Sequence, residues 1–369
     1  MNIRARNPSR TALVLLWLLA LLVAGCTQAR PASAPSSVPD PPPADQGYWP
    51  TRGWRTSSPA AQGMDPHKLA LMLQVIRQEQ LNLHSLLIIR NGSIVSETYF
   101  PSYTAQTPHE LYSVTKSVMA TLVGIAIDRR AIDGINHPVL DFFRSYSFKH
   151  PDTRKDAMTL EDLLTMRSGL DWQEQDATFQ AMYQSRDWVQ FMLDTPMHEQ
   201  PGQQFRYCSG CSHLLSAIIQ QRSGVNTRDF AQQTLFDPLG VNSVSWEQDR
   251  QRIPIGGWGL QLTPRDMAKL GYLYLHNGTW DGQQLVSAAW IKAAIQNHTE
   301  TDSQLGLGYG YQWWIDPGLG AYAALGRYGQ TIFVVPHLQL VIVTTAEIDG
   351  HEAIFKLIKQ YIVPAVQTP

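Results

Sequence analysis

Strand-forming sequence in this chain falls into two blocks separated by roughly 200 residues of mostly helical character, and that spacing constrains the fold more than any other feature. The first block is Ser85 to Arg90 and Ser93 to Tyr99, split by Asn91-Gly92, a dipeptide that favours the left-handed backbone of a tight hairpin. The second is Tyr309 to Ile315, Ala321 to Leu325, Ile332 to Val335 and Gln339 to Thr345, with Asp316-Pro317-Gly318 as a turn. Burying both blocks brings them together, which predicts an α+β fold: one antiparallel sheet interrupted by a large helical insertion at about 105–300. Helices at the two ends, from Asp65-Pro66 to about Gln80 and from His351 to about Val363, are expected to cover one face. Within the insertion, Thr159 to Asp162 reads as a capping box for a short helix stopped at Ser168-Gly169. Thr263-Pro264 opens another helix that runs to His276.

The chain has 369 residues and a formal charge of −2, which gives no electrostatic footprint for nucleic acid. Hydrophobic residues make up 44% and charged ones 16%, below the roughly 25% of an average soluble protein, so a well-buried core is expected and disorder is not. Arg4, Arg6 and Arg10 followed by the apolar run Ala12 to Ala24 have the layout of an export signal. Its end, Val23-Ala24-Gly25-Cys26, resembles a lipobox, which implies cleavage after residue 25 and a lipid on Cys26 that partners the chain with a bilayer. Residues 26–47, with Pro41-Pro42-Pro43, then form a semi-extended tether to a domain over 48–369. The expected location is the cell envelope, facing the periplasm, with Thr27 after the cysteine favouring the outer membrane of a Gram-negative cell. Cys208 and Cys211 remain, as a structural disulfide or as two unreactive thiols. No second cysteine pair or His-x-x-x-His array accompanies them, and the sequence has no phosphate-binding glycine loop or dinucleotide fingerprint, so neither a metal nor any other cofactor is expected.

Catalytic chemistry starts at Ser113-Val114-Thr115-Lys116. An apolar-periodic run follows, so Ser113 is expected at a helix start with Lys116 one turn on and on the same side. A serine hydroxyl needs a base, and a lysine serves as one when desolvation or nearby positive potential lowers its pKa. The helix N-terminus supplies such potential, and its free N–H groups can hold an oxyanion. The same four residues also describe a capped helix with a solvated lysine.

Leu111 to Ser117 resembles the first motif of the serine beta-lactamase-like hydrolases, a superfamily that includes class C beta-lactamases, D-alanyl-D-alanine carboxypeptidases, esterases and nylon-oligomer hydrolases. The resemblance extends through Leu160 to Leu170 and Leu262 to Gly271 and spans about Thr51 to Val363. It implies a beta-lactamase/transpeptidase-like fold and a Ser113 acyl-enzyme. The family's Tyr-x-Asn stands here as Tyr207-Cys208-Ser209: Tyr207 suits proton relay, and Ser209 keeps a hydrogen-bonding group in place of the asparagine. A Cys208–Cys211 disulfide would stiffen the turn that presents Tyr207. The third motif, Lys/His-Thr/Ser-Gly, is replaced. His276-Asn277-Gly278 follows a helix, whereas Gly326-Arg327-Tyr328-Gly329-Gln330 looks like the Gly-x-x-Gly-Gln form of nylon-oligomer hydrolases and related esterases.

These matches make the backbone N–H groups of Ser113 and Arg327 the expected oxyanion hole. Gly326, Gly329 and Gln330 are the expected substrate contacts, together with Trp172 and with Trp258 in its glycine-rich segment. The function expected is a serine hydrolase of a small ester or amide. Beta-lactamase or D-alanyl-D-alanine carboxypeptidase activity is the alternative, and a catalytically weak lipoprotein that binds cell-wall peptides or antibiotics is the alternative of another class. Which of Lys116 and Tyr207 is the formal base stays open, as does the oligomeric state.

Overall fold

Asn91 (φ 48°) and Gly92 (φ 74°) close the hairpin between β1 (Leu83–Arg90) and β2 (Ser93–Tyr99), and the second strand block returns to pair with it. This is seen in the computed structural model, which describes residues 48–367 apart from Gln175. The expected signal segment, the tether and Cys26 lie outside the described residues.

Between the two blocks run β3 (His109–Glu110), β4 (Ser245–Trp246), β5 (Leu260–Leu262), β6 (Thr279–Trp280) and β7 (Gln283–Gln284). After them come β8 (Gly308–Tyr309), β9 (Trp314–Asp316), β10 (Ala321–Gly326), β11 (Gln330–Val335) and β12 (Leu340–Ala346). The main sheet has seven strands in the order β2-β1-β12-β11-β10-β9-β8, antiparallel throughout, so the late strands join the early hairpin through β12 against β1. The α+β fold with an interrupted antiparallel sheet is therefore the observed one.

Period-two alternation sends neighbouring side chains to two separate cores. Leu86 and Ile88 of β1, with Phe333 and Ile342, pack under the terminal helices, where Leu69, Met72 and Ile76 meet Ile354, Phe355 and Ile358. Leu87 and Ile89, with Ile332, Val334 and Val343, face the helical insertion instead. On that side lies the Val114–Asp128 helix, buried from Val114 through Ala126. Its all-round apolar surface has no water-facing stripe because sheet and helices enclose it. Burying a single Leu or Ile this way stabilises by roughly 1.5–3 kcal/mol.

Four boundaries differ from the sequence expectation: first, the helix opened by the Thr159 box ends at Leu164 rather than at Ser168-Gly169. The insertion is not purely helical, since β3, β5 and β4 form a small sheet within it and β6 pairs with β7. The strand expected over Tyr309 to Ile315 is split, because Gln312 turns left-handed (φ 60°) and donates its side-chain amide to the carbonyls of Leu163 and Leu164. The final helix is three segments, Glu352–Leu357, a wide π turn over Ile358–Ile362, and Val363–Ala365, the last with Pro364 in its first turn. The two predicted caps form: Thr159 with Asp162 as a reciprocal box, and Thr263 accepting from the Asp266 N–H.

Candidate active site

Ser113 is the N-cap of the Val114–Asp128 helix, and the preceding Tyr112 has φ 47°, a left-handed geometry that costs a non-glycine residue energy and that functional sites often retain. One turn into the helix, the ammonium end of Lys116 lies 3.0 Å from Ser113 Oγ. Lys116 is only 1% exposed, and burial lowers its pKa from 10.5 to about 8, against the opposing pull of the Glu174 charge. The solvated-lysine reading of this motif is thereby overturned: the helix carrying it is buried from Val114 through Ala126.

Two further acceptors hold the amine. Lys116 Nζ donates to Ser209 Oγ at 2.9 Å and to the Gly257 carbonyl at 2.9 Å. Ser209 opens the Ser209–Ser223 helix, whose N-cap is Cys208; the Cys208 sulfur accepts from the Cys211 N–H. Cys208 and Cys211 are joined in a disulfide. Gly256 and Gly257 press flat on this helix start: a Cβ on Gly256 would meet the Ser212 carbonyl oxygen at 2.0 Å, and one on Gly257 would meet Ser209 Cβ at 3.0 Å. Only backbone without side chains brings the Gly257 carbonyl to the lysine.

Tyr207, hydrogen-bonded to Ser113, completes the group. Its ring centroid is 4.7 Å from Lys116 Nζ and stacks on Trp314 at 6.0 Å. Desolvation pushes its phenol well above the ordinary tyrosine range, so it holds its proton where the lysine readily gives one up. Ser113, Lys116, Tyr207 and Ser209, drawn from two separate stretches of sequence, thus meet in one cluster.

The turn joining β10 to β11 reaches the same place. A Cβ on Gly326 would lie 2.2 Å from the Leu111 carbonyl oxygen, so the end of β10 packs directly on the backbone leading to Ser113. Tyr328 meets Tyr112 edge to face at 5.4 Å, and the exposed Arg327 guanidinium sits 4.6 Å over the Tyr328 ring. His276, in the superficial third-motif match, belongs instead to an aromatic cluster with Trp49 and Tyr272.

Other expected substrate contacts require correction. Gln330 is buried, and its amide donates to the Ala346 carbonyl at 2.7 Å, clamping the turn onto β12 rather than facing a ligand. Gly329 points into the terminal helices, where a Cβ would meet Ile354 at 2.6 Å; its φ of +87° serves the turn. Trp172 is fully buried, with its indole N–H donating to Glu174 at 2.8 Å, so it cannot form a cleft wall. Trp258 does stand beside the lysine-holding Gly257, partly exposed between Phe179 at 5.2 Å and Trp188 at 5.5 Å.

Glu174 was not singled out from sequence. Its Oε1 accepts from the Ser209 hydroxyl at 2.5 Å, and its Oε2 accepts from the Ser209 N–H at 2.9 Å. A lone acid in a loop carries no periodic signal, and folding alone brings it across 35 residues to Ser209. Among the described residues, no group of three or more His, Cys, Asp or Glu is placed to hold a metal ion. No helix of the described residues is long and apolar enough to cross a membrane.

A family model described as Beta-lactamase matches residues 75–366. The 6-aminohexanoate-dimer hydrolase of Paenarthrobacter ureafaciens is 23% identical over 287 residues, covering 72% of this chain and 73% of that protein. Among solved structures, a Bacillus anthracis protein assigned as a 6-aminohexanoate-dimer hydrolase superposes with a TM-score of 0.66 at 23% identity, covering 79% of this chain and 81% of that one. A Bacteroides dorei protein assigned as a beta-lactamase gives 0.68 at 16%, covering 82% and 99%.

Proposed function

Since the chain belongs to the beta-lactamase family of hydrolases, we propose that it cleaves small esters or amides through an acyl-enzyme on Ser113. The observation that carries this reading is the buried amine of Lys116, 3.0 Å from Ser113 Oγ with its pKa lowered to about 8. Lys116 takes the hydroxyl proton as Ser113 Oγ attacks the carbonyl carbon. The N–H groups of Ser113 and Arg327 stabilise the oxyanion, and Tyr207 passes a proton to the departing alkoxide or amine. Water then attacks the acyl group, with the same groups returning the proton to Ser113. Opposite pKa displacements of the two candidates, down for Lys116 and up for Tyr207, favour the lysine as base. Replacement of the third motif's lysine or histidine favours esters and simple amides over beta-lactams and D-alanyl-D-alanine peptides, whose carboxylate that motif helps to hold.

Incubation with p-nitrophenyl esters, short amides and nitrocefin, with intact mass measured for wild type and Ser113→Ala, tests the reading. Turnover of esters or amides with an adduct lost in Ser113→Ala is expected. Faster turnover of nitrocefin moves the assignment to a beta-lactamase, and a persistent adduct without turnover moves it to a binding lipoprotein. We further propose that Cys26 carries a lipid that anchors the chain in the cell envelope. Wild type should then partition into detergent and Cys26→Ala into the aqueous phase.

A further inference from the structure

The amine of Lys116 touches three oxygens, and which of them receives its lone pair decides whether it can act as a base. The Gly257 carbonyl can only accept, so it takes one N–H. Ser209 Oγ could either give or take. Its single proton, however, is donated to Glu174 Oε1, 2.5 Å from Ser209 Oγ, so toward the lysine it too can only accept. A neutral amine has two protons, both now committed, and its lone pair is left facing Ser113 Oγ at 3.0 Å, placed to take that hydroxyl's proton. Glu174 is itself held on its other oxygen by the Trp172 indole N–H and the Ser209 N–H, so it cannot turn away. The other ionisable groups around the amine are Tyr207, beneath it at 4.7 Å, and Tyr309, 6.3 Å beyond Tyr207. Neither offers Ser209 a competing acceptor.

We propose that Glu174 is a positioning residue: by fixing the Ser209 hydroxyl as an acceptor it aims the lone pair of Lys116 at Ser113, so that Trp172, Glu174 and Ser209 together do what a single side-chain amide would do in the Tyr-x-Asn pattern. This rests on the serine hydrolase reading above. Glu174→Gln is nearly isosteric but reverses the polarity. The glutamine carbonyl is retained by the two N–H donors, its NH2 then points at Ser209 Oγ, and the Ser209 proton swings round to occupy the lysine's lone pair.

The test measures kcat and KM against pH, with a p-nitrophenyl ester that wild type turns over, for Glu174→Gln, Glu174→Asp, Ser209→Ala, the Gln/Ala double variant and Ser113→Ala, with a melting curve for each. Glu174→Gln should lose about 10- to 100-fold in kcat with little change in KM. Its rising limb should move to lower pH, because the charge that raises the lysine pKa is gone. Glu174→Asp should recover most of the rate, and the double variant should be no worse than the poorer single one. Wild-type kcat in a folded Glu174→Gln, an unmoved limb, or additive losses in the double variant overturn the proposal. Should Glu174→Gln fail to fold, wild-type kcat in Ser209→Ala does so. If Ser113→Ala turns over normally, the hydrolase reading itself has failed instead.

Discussion

Titrating Lys116 is the most direct perturbation of this site, and its size follows from burial. With its pKa lowered from 10.5 to about 8, the amine at pH 7.5 is about one-quarter neutral, against about one part in a thousand for a solvated lysine. The gain in competent base is thus about 200-fold, equivalent to about 3 kcal/mol in the barrier. Because the base must be neutral, kcat/KM should climb about tenfold per pH unit below 8 and level off above it. The sign is that of a cationic acid whose charged form is inactive. Initial rates on a soluble p-nitrophenyl ester from pH 5.5 to 9.5, read at a wavelength where nitrophenol and nitrophenolate absorb equally, give the profile. Lys116→Arg keeps the positive charge but cannot be deprotonated, and should lose about 10²- to 10⁴-fold across the whole range. A flat profile between pH 6 and 9, a limb near the ordinary lysine value, or an active Lys116→Arg would refute the assignment of Lys116 as base.

Tyr207→Phe removes the phenol while leaving the ring on Trp314, so kcat should fall about 10²- to 10⁴-fold with the melting temperature nearly unchanged, as paired kinetic and thermal measurements will show. Gly326→Ala would drive a Cβ to 2.2 Å from the Leu111 carbonyl oxygen, which the rigid backbone cannot yield. Both activity and melting temperature should drop, while Gly320→Ala, in an open turn, should spare activity. Replacing Cys208 and Cys211 by Ser under oxidising conditions removes a short cross-link worth about 2 kcal/mol and slackens the turn that presents Tyr207. A melting point lower by a few degrees and a reduced kcat are expected, and an unchanged pair of values would discard that role for the disulfide.

Much of the frame was legible before any coordinates. The Asn91-Gly92 hairpin, the Thr159 and Thr263 caps and the alternating strands each depend on neighbours within a few residues, so local pattern suffices to read them. The union of both strand blocks in one antiparallel sheet followed from the need to bury them, though not that β12 is the strand that meets β1, and the Ser113/Lys116 adjacency followed from the pitch of one helical turn. What resisted reading was anything set by solvent exclusion or by contacts between distant segments. Trp172 and Gln330 are plausible cleft residues by composition, yet packing turns both inward. Glu174 has no pattern to betray it until the loop that bears it folds over Ser209. Even the reactive state of Lys116 belongs to the tertiary structure. Spacing sets which oxygen the amine can reach, but only enclosure by the sheet, the insertion and the Gly257 carbonyl removes the water that would keep it charged.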